Sequence, residues 1–137
     1  MNFSAFANLI GNAGVGVNTF NVTAPSTFNL VGGGGADVFN LSDVLTGSIS
    51  AGAGADLINF LAAGVLVTGN VDGGSSASLD YSVLAGPITV ALTAIGSIDG
   101  FQGTATGIGG TFDNITTLVG STTSVTDTLT GINSAAT

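Results

Sequence analysis

Carboxylates are the only charged side chains in this sequence: all eight acidic residues are aspartates, and Lys, Arg, His and Cys are absent from its 137 residues. Without an imidazole, a thiol or an amine, the common general bases and nucleophiles are missing. Two aspartates can still act together as acid and base, as in glycoside hydrolysis, but the aspartate spacing singles out no such pair. We therefore expect the chain not to be an enzyme.

The oxygen atoms that remain form the ligand set of a hard cation. Aspartate carboxylates, backbone carbonyls and the side-chain oxygens of Asn, Ser and Thr suit calcium, whereas zinc sites of the usual kind need Cys or His. Two aspartates stand out because each follows a run of Gly and Ala: Asp37 in residues 32–40 (GGGGADVFN) and Asp56 in residues 51–59 (AGAGADLIN). Five of the other aspartates are expected to be turn residues and solubilising charge: Asp72, Asp80, Asp99, Asp113 and Asp127.

The charge balance excludes several classes of partner. A net charge of −8 with no cationic side chain leaves nothing to neutralise phosphates, so we expect no nucleic-acid binding. The longest apolar run, residues 60–67, has about eight residues, and a membrane-spanning helix needs about 20; we expect no membrane insertion. The N-terminus lacks the positive region of a secretory signal, so export would use a route without a cleaved N-terminal signal.

A regular repeat in the sequence predicts the architecture. Large apolar residues followed by Asn recur at equal intervals at Phe20, Phe39 and Ile58, and Leu79 follows after a slightly longer interval. Two short strands and two turns fill such a repeat, which is typical of stacked coils. The sequence therefore predicts an all-β fold, a parallel β-solenoid (β-roll or β-helix) with coils of about 19–21 residues, in which these four side chains form one apolar column.

A second series of apolar residues lies between the first. Phe28 and Ile49 are predicted to form the opposing column of the core. The first ten residues place apolar side chains at helical spacing and are a candidate for a short capping helix. This divides the chain into an N-terminal cap or assembly segment (1–17) and a solenoid (18–137). A β-sandwich and a disordered glycine-rich linker are the alternatives; the regular repeat disfavours the first, and the hydrophobic content of 45% disfavours the second.

The two glycine loops carry a recognisable nonapeptide. Residues 32–40 match G-G-x-G-x-D-x-U-x at every fixed position, and residues 51–59 match it with Ala51 in place of the first Gly. The motif resembles the RTX, or hemolysin-type, calcium-binding repeat. Residues 72–80 keep only part of it, and the sequence that follows resembles the spacers that join RTX blocks in long bacterial surface proteins.

The resemblance implies a calcium site shared by successive coils. Its ligands would be the carboxylates of Asp37 and Asp56 and the backbone carbonyls of four glycines: Gly33, Gly35, Gly52 and Gly54. An alternative stays open, in which the glycines only form tight turns and the aspartates cap those turns through local Asx hydrogen bonds.

Two functions are expected of a solenoid that lacks the usual catalytic side chains. The first is a secreted structural protein that assembles with copies of itself into an extracellular filament, sheath or surface layer. It is favoured because Met1 marks a chain start and because solenoid ends expose strand edges, of which the C-terminal one carries no charged cap beyond Asp127. Four apolar residues of the N-terminus are the expected assembly contacts: Phe3, Phe6, Leu9 and Ile10. The alternative is a calcium-binding spacer module of a larger RTX adhesin or exported protein.

Overall fold

A computed structural model of the chain describes residues 7–123 and 126–132. This part contains thirteen β-strands and no helix, and therefore no helix that could span a membrane. The strands are β1 (Asn8–Ile10), β2 (Thr19–Val22), β3 (Asn29–Gly33), β4 (Val38–Leu41), β5 (Ile49–Gly52), β6 (Asp56–Phe60), β7 (Val71–Asp72), β8 (Ala77–Asp80), β9 (Thr89–Ile95), β10 (Phe101–Ala105), β11 (Phe112–Ile115), β12 (Thr117–Val119) and β13 (Thr128–Thr130).

From β1 to β8, successive strands alternate between two sheets, as the coils of a solenoid require. The long sheet has eight strands in the order β1-β3-β5-β7-β11-β10-β9-β13, and the short sheet has five in the order β2-β4-β6-β8-β12. Every neighbouring pair in the short sheet, and every pair from β1 to β11 in the long sheet, is parallel. The predicted parallel β-solenoid is confirmed.

The first predicted column is also confirmed. The strand register places Phe20 beside Phe39, Phe39 beside Ile58, and Ile58 beside Leu79. All four side chains are buried, and the rings of Phe20 and Phe39 stack with centroids 4.9 Å apart. Side chains alternate along a strand, so the intervening residues, such as Asn40, face outward. The period of the sequence is thus the length of one coil.

The opposing column differs from the prediction at one position. Ile49 does face the core from the long sheet, but its neighbour on the preceding coil is Leu30 and not Phe28. Phe28 is only partly buried and lies just before β3, at the corner of the coil. There its backbone carbonyl oxygen lies against Gly47 of the next coil. Phe28 and Leu30 are two residues apart, so both would face the core if they lay in one strand. The strand begins only at Asn29, and therefore Leu30 enters the core and Phe28 stays at the corner.

The N-terminal helix prediction is wrong for the residues that can be compared. Asn8–Ile10 form strand β1, which pairs in parallel with β3 as the first strand of the long sheet. The other residues of that candidate helix, up to residue 6, lie outside the described residues and include Phe3 and Phe6.

The coil pattern is interrupted after β8. Strands β9 and β10 form an antiparallel hairpin that is inserted into the long sheet between β11 and β13. The short sheet has no equivalent strands among the described residues and ends at β12. The long sheet therefore extends past the short one by β10, β9 and β13, about 14 Å at the usual strand spacing.

Candidate functional site

Asp37 and Asp56 lie in direct contact on successive coils, at the edge where the short sheet begins. The backbone N–H of Asp37 donates a hydrogen bond of 2.7 Å to Oδ1 of Asp56. In return, the N–H of Leu57 donates to the carbonyl oxygen of Asp37 over 2.9 Å. The repeat brings the two aspartates together because each occupies the same position in its coil.

Asn18 extends this pair into a ladder of three residues. Both its backbone N–H and its side-chain amide donate to Oδ1 of Asp37, each over 2.7 Å. Each carboxylate thus caps a backbone N–H one coil earlier, and not a group of its own turn as the Asx alternative supposes. The ladder ends at the next coil, where Ala77 stands beside Asp56 and the N–H of Asp56 donates to the carbonyl of Ser76.

The second oxygen of each carboxyl group has no hydrogen-bond partner among the described residues. Oδ2 of Asp37 and Oδ2 of Asp56 are both buried, and the residues are 0% and 2% exposed. Gly32 lies so close to Oδ2 of Asp37 that any side chain there would collide with it. Since the sequence contains no cationic residue, no side chain of the protein can form an ion pair with these oxygens.

The environment of Asp56 changes its acidity. Burial raises the pKa of its carboxyl group above the ordinary value of 3.8, because the charged form loses contact with water. The neighbouring carboxyl of Asp37 acts on this pKa in the same direction, and the hydrogen bond from the Asp37 N–H opposes both. The outcome is a carboxyl group that holds its proton more tightly than one in solvent.

Two of the four predicted carbonyl ligands take part in hydrogen bonds between coils. The carbonyl oxygen of Gly33 accepts from the N–H of Ala53 over 2.9 Å, and that of Gly52 accepts from the N–H of Ser75 over 3.0 Å. Gly33 and Gly52 have φ angles of 138° and 102°, which L side chains rarely adopt. These glycines therefore form stacked tight turns, and each carbonyl keeps a second lone pair.

Gly35 and Gly54 occupy equivalent positions further along the two loops. Gly54 has a φ of 123°, and the carbonyl oxygen of Gly35 lies directly against it. Among the described residues no group of three or more acidic side chains is close enough to hold a metal ion. A cation here would thus need loop carbonyls in addition to the two carboxylates, and this donor set fits calcium in type.

A second feature, which sequence reasoning missed, lies at the C-terminal end of the core. Tyr81 is only 1% exposed, and its hydroxyl group has no hydrogen-bond partner in the described part of the chain. Its ring stacks on that of Phe60 with centroids 4.6 Å apart. It borders a cavity of about 210 Å³. Burial raises the pKa of the Tyr81 phenol, because the tyrosinate would lose its hydration. The spacing could have revealed the residue, because the interval from Phe60 to Tyr81 equals that from Ile58 to Leu79.

The prediction of a turn residue is wrong for Asp113, which lies in strand β11 and contacts a neighbouring turn only through its side chain. Its carboxylate accepts hydrogen bonds from the N–H and hydroxyl of Ser97, over 3.0 and 2.7 Å, and from the N–H of Asn114 over 2.9 Å. Partial burial tends to raise the pKa of Asp113, but these hydrogen bonds outweigh it and lower the pKa. The cluster holds the loop of the β9–β10 hairpin in place.

No known protein family, curated protein or solved structure matches the chain. The parallel β-solenoid fold is compatible with an RTX-like β-roll, and the likeness otherwise rests on residues 32–40 and 51–59.

Proposed function

We propose that this chain is a structural protein that stacks end to end with copies of itself and builds an extracellular filament, sheath or surface layer. One observation supports this above the others: each sheet ends in strands that have no partner on their outer side among the described residues, β1 and β2 at one end and β13 and β12 at the other. Unpaired strand edges are templates for further strands.

The strand directions are compatible with such stacking. The parallel strands of the long sheet run in one direction from β1 to β11, β10 reverses it, and β9 and β13 restore it. The two terminal strands of the long sheet therefore point the same way. A second copy in the same orientation could add to either end and continue a parallel pairing.

Charge sets the conditions for assembly. Identical chains with eight aspartates and no cationic side chain repel each other and can form no intermolecular salt bridge between side chains. Backbone pairing does not depend on charge, and physiological salt reduces the range of the repulsion to a Debye length of about 8 Å. Assembly should therefore strengthen as salt is added, the reverse of a polymer held by ion pairs.

Purified protein gives the test. Analytical ultracentrifugation and electron microscopy at about 10 mM and 150 mM NaCl, ionic strengths chosen to change the screening length several-fold, should show larger assemblies and filaments at the higher salt. A chain that sediments as a monomer under both conditions would contradict self-assembly. Antibody labelling of intact source cells would test the surface location, which we propose from the likeness to exported RTX proteins.

A second candidate function is calcium binding, as a spacer module of a larger RTX adhesin or exported protein. It is favoured by the buried, unpartnered Oδ2 atoms of Asp37 and Asp56, because a divalent cation would supply the charge that the sequence lacks. Bound calcium would neutralise the pair, with Asp37 and Asp56 as its carboxylate ligands and the loop glycines as carbonyl ligands.

Isothermal titration calorimetry distinguishes this candidate. Wild type and Asp43→Asn should release heat with calcium, whereas Asp56→Asn should not. Asp43 is the matched control because the same charge is removed at the opposite turn, where its carboxylate accepts a hydrogen bond from the Val44 N–H. An absence of heat in the wild type would leave the glycine loops as turns alone.

A further inference from the structure

The cavity beside Tyr81 exists because one column of core side chains ends there. The strand register places Val22 beside Leu41 and Leu41 beside Phe60 in this column. The ring of Tyr81 stacks on Phe60 as its next member. The following coil pairs Val119 with Asp80, so that Gly120 comes next to Tyr81 and contributes no side chain. A side chain at position 120 would meet Oδ2 of Asp127, which would have to move.

Apolar side chains from both sheets form the walls of this cavity. Ile88, Val90 and Leu129 approach from the long-sheet side and Leu118 from the short sheet. Its volume of about 210 Å³ exceeds the roughly 150 Å³ that can take up a benzene molecule in an apolar core. The cavity is open at Leu129, which is 63% exposed although it pairs with the buried Val90.

Leu9 has the equivalent position at the opposite end of the long sheet. It is the first member of an inward-facing column that continues with Leu30 and Ile49, yet it is 48% exposed because no described strand covers it. The long sheet therefore begins and ends with a leucine that points toward the core side of the sheet and is left open to solvent.

The overhang of the long sheet decides which strands can meet. Beyond β8 and β12, the described residues of the short-sheet side continue as loops and not as strands, and the Ser121 hydroxyl donates a hydrogen bond of 2.6 Å to the Leu84 carbonyl. The overhang therefore makes β13, and not β12, the outermost described strand at this end of the solenoid. The free edge of β13 has no partner strand among the described residues.

We propose that β1 of one copy pairs in parallel with β13 of the next, and that this pairing brings Leu9 against Leu129, where its side chain closes the cavity beside Tyr81. The inference rests on the self-assembly proposed above and adds the contact that carries it. The register follows from burial: with Leu9 opposite Leu129 both leucines leave solvent, and a shift of the register by a single position would turn Leu9 to the outer face. In this register Ile10 lies opposite Thr130, both on the outer face.

The chain offers a clean cross-linking test because it contains no cysteine. Neighbouring strands lie about 4.8 Å apart, within the Cα separation of disulfides. The double variant Ile10→Cys/Thr130→Cys should therefore yield disulfide-linked ladders on oxidation in salt. The control Ile10→Cys/Thr104→Cys should not, since Thr104 is also exposed but lies in β10, inside the sheet. If the Ile10→Cys/Thr130→Cys variant assembles but oxidation forms no disulfide between the two positions, this junction is wrong and self-assembly stands.

A pair of substitutions within β1 tests the role of Leu9. Leu9→Asn would place an amide without partners in the cavity and should raise the concentration needed for assembly about tenfold or more. Ile10→Asn, on the outer face of the same strand, should change it little. Tyr81 is the only tyrosine and tryptophan is absent, so tyrosine fluorescence reports on the cavity alone and should change when wild type assembles.

The outcomes separate the two proposals. If Leu9→Asn and Ile10→Asn assemble equally well, or if assembly leaves Tyr81 fluorescence unchanged, this junction is wrong while self-assembly stands. If no variant and no wild-type sample assembles, self-assembly itself fails. Far-ultraviolet circular dichroism of each variant checks that the solenoid is folded.

Discussion

The backbone N–H of Asp37 donates a 2.7 Å hydrogen bond to Oδ1 of Asp56 on the next coil, and Oδ2 of both residues is buried without a partner in residues 7–123 and 126–132. One oxygen of each carboxyl group thus stabilises the stack, and the other has lost its water without compensation. For Asp56, whose pKa burial raises, the carboxyl group either keeps its proton or binds a cation. Which of the two occurs decides how the protein responds to pH and to calcium.

The raised pKa of Asp56 predicts an unusual dependence of stability on pH. Folding favours the protonated form, so this contribution is complete below the ordinary pKa of 3.8 and is lost as pH rises through the higher pKa of the folded state. In EDTA, Asp56→Asn should therefore gain stability relative to wild type at pH 7, and the gain should shrink toward pH 3. Thermal unfolding of both proteins across this range is the measurement.

Asp43→Asn is the control for the overall change in net charge. It should show a smaller and flatter difference from wild type across the same pH range. With calcium added, the proposed site predicts the opposite ranking at pH 7, because wild type would gain a bound ion that Asp56→Asn lacks. An Asp56→Asn protein that is less stable than wild type in EDTA at pH 7 would contradict the proposed cost of burying this carboxyl group.

The burial of Tyr81 predicts that its phenol ionises at an unusually high pH, which ultraviolet absorbance can follow. Because burial raises the pKa of its phenol, the absorbance change of tyrosinate should appear above the ordinary value of about 10 and coincide with alkaline unfolding. As for Asp56, the raised pKa contributes to the stability of the folded protein. This contribution is complete below the pKa of the unfolded state and is lost as pH rises through the higher pKa of the folded state. Titration of Tyr81 near its ordinary pKa in the folded protein would mean that water reaches its hydroxyl group.

Phe39 and Phe28 form a matched pair for testing the core. Phe39 is fully buried in the stacked column, so Phe39→Ala should lower the free energy of unfolding by about 3–5 kcal/mol. Phe28 lies at the coil corner and is only partly buried, so Phe28→Ala should cost clearly less. Urea unfolding followed by circular dichroism measures both. Equal losses would mean that Phe28 does belong to the column.

Deletion of residues 1–10 should leave a folded monomer. It removes β1 with Leu9 and Ile10, whereas the later coils keep their own core. Deletion of residues 1–6 is the control: it removes Phe3 and Phe6 but keeps β1, and should weaken assembly without abolishing it. Sedimentation in physiological salt compares the two truncations. Filaments formed by the chain that lacks residues 1–10 would show that its N-terminal strand is not the assembly contact.

The repeat in the sequence determined the coil and the main contact of the candidate site. Because a parallel coil has a fixed length, residues one period apart must become neighbours, and this places Phe20, Phe39, Ile58 and Leu79 in one column. The same argument brings Asp37 beside Asp56. It could also have found Asn18, which lies one period before Asp37.

Only the tertiary structure decided what happens where the period fails. After β8 the sequence no longer repeats. Strands β9 and β10 form a local hairpin, but its place between β11 and β13 depends on pairings between distant parts of the chain. The cavity beside Tyr81 depends on Gly120, which is distant from it in the sequence and outside the repeat. The unpartnered oxygens of Asp37 and Asp56 likewise could not be predicted. A sequence places residues on the same coil edge, but burial and hydrogen bonding depend on how closely the coils pack in three dimensions.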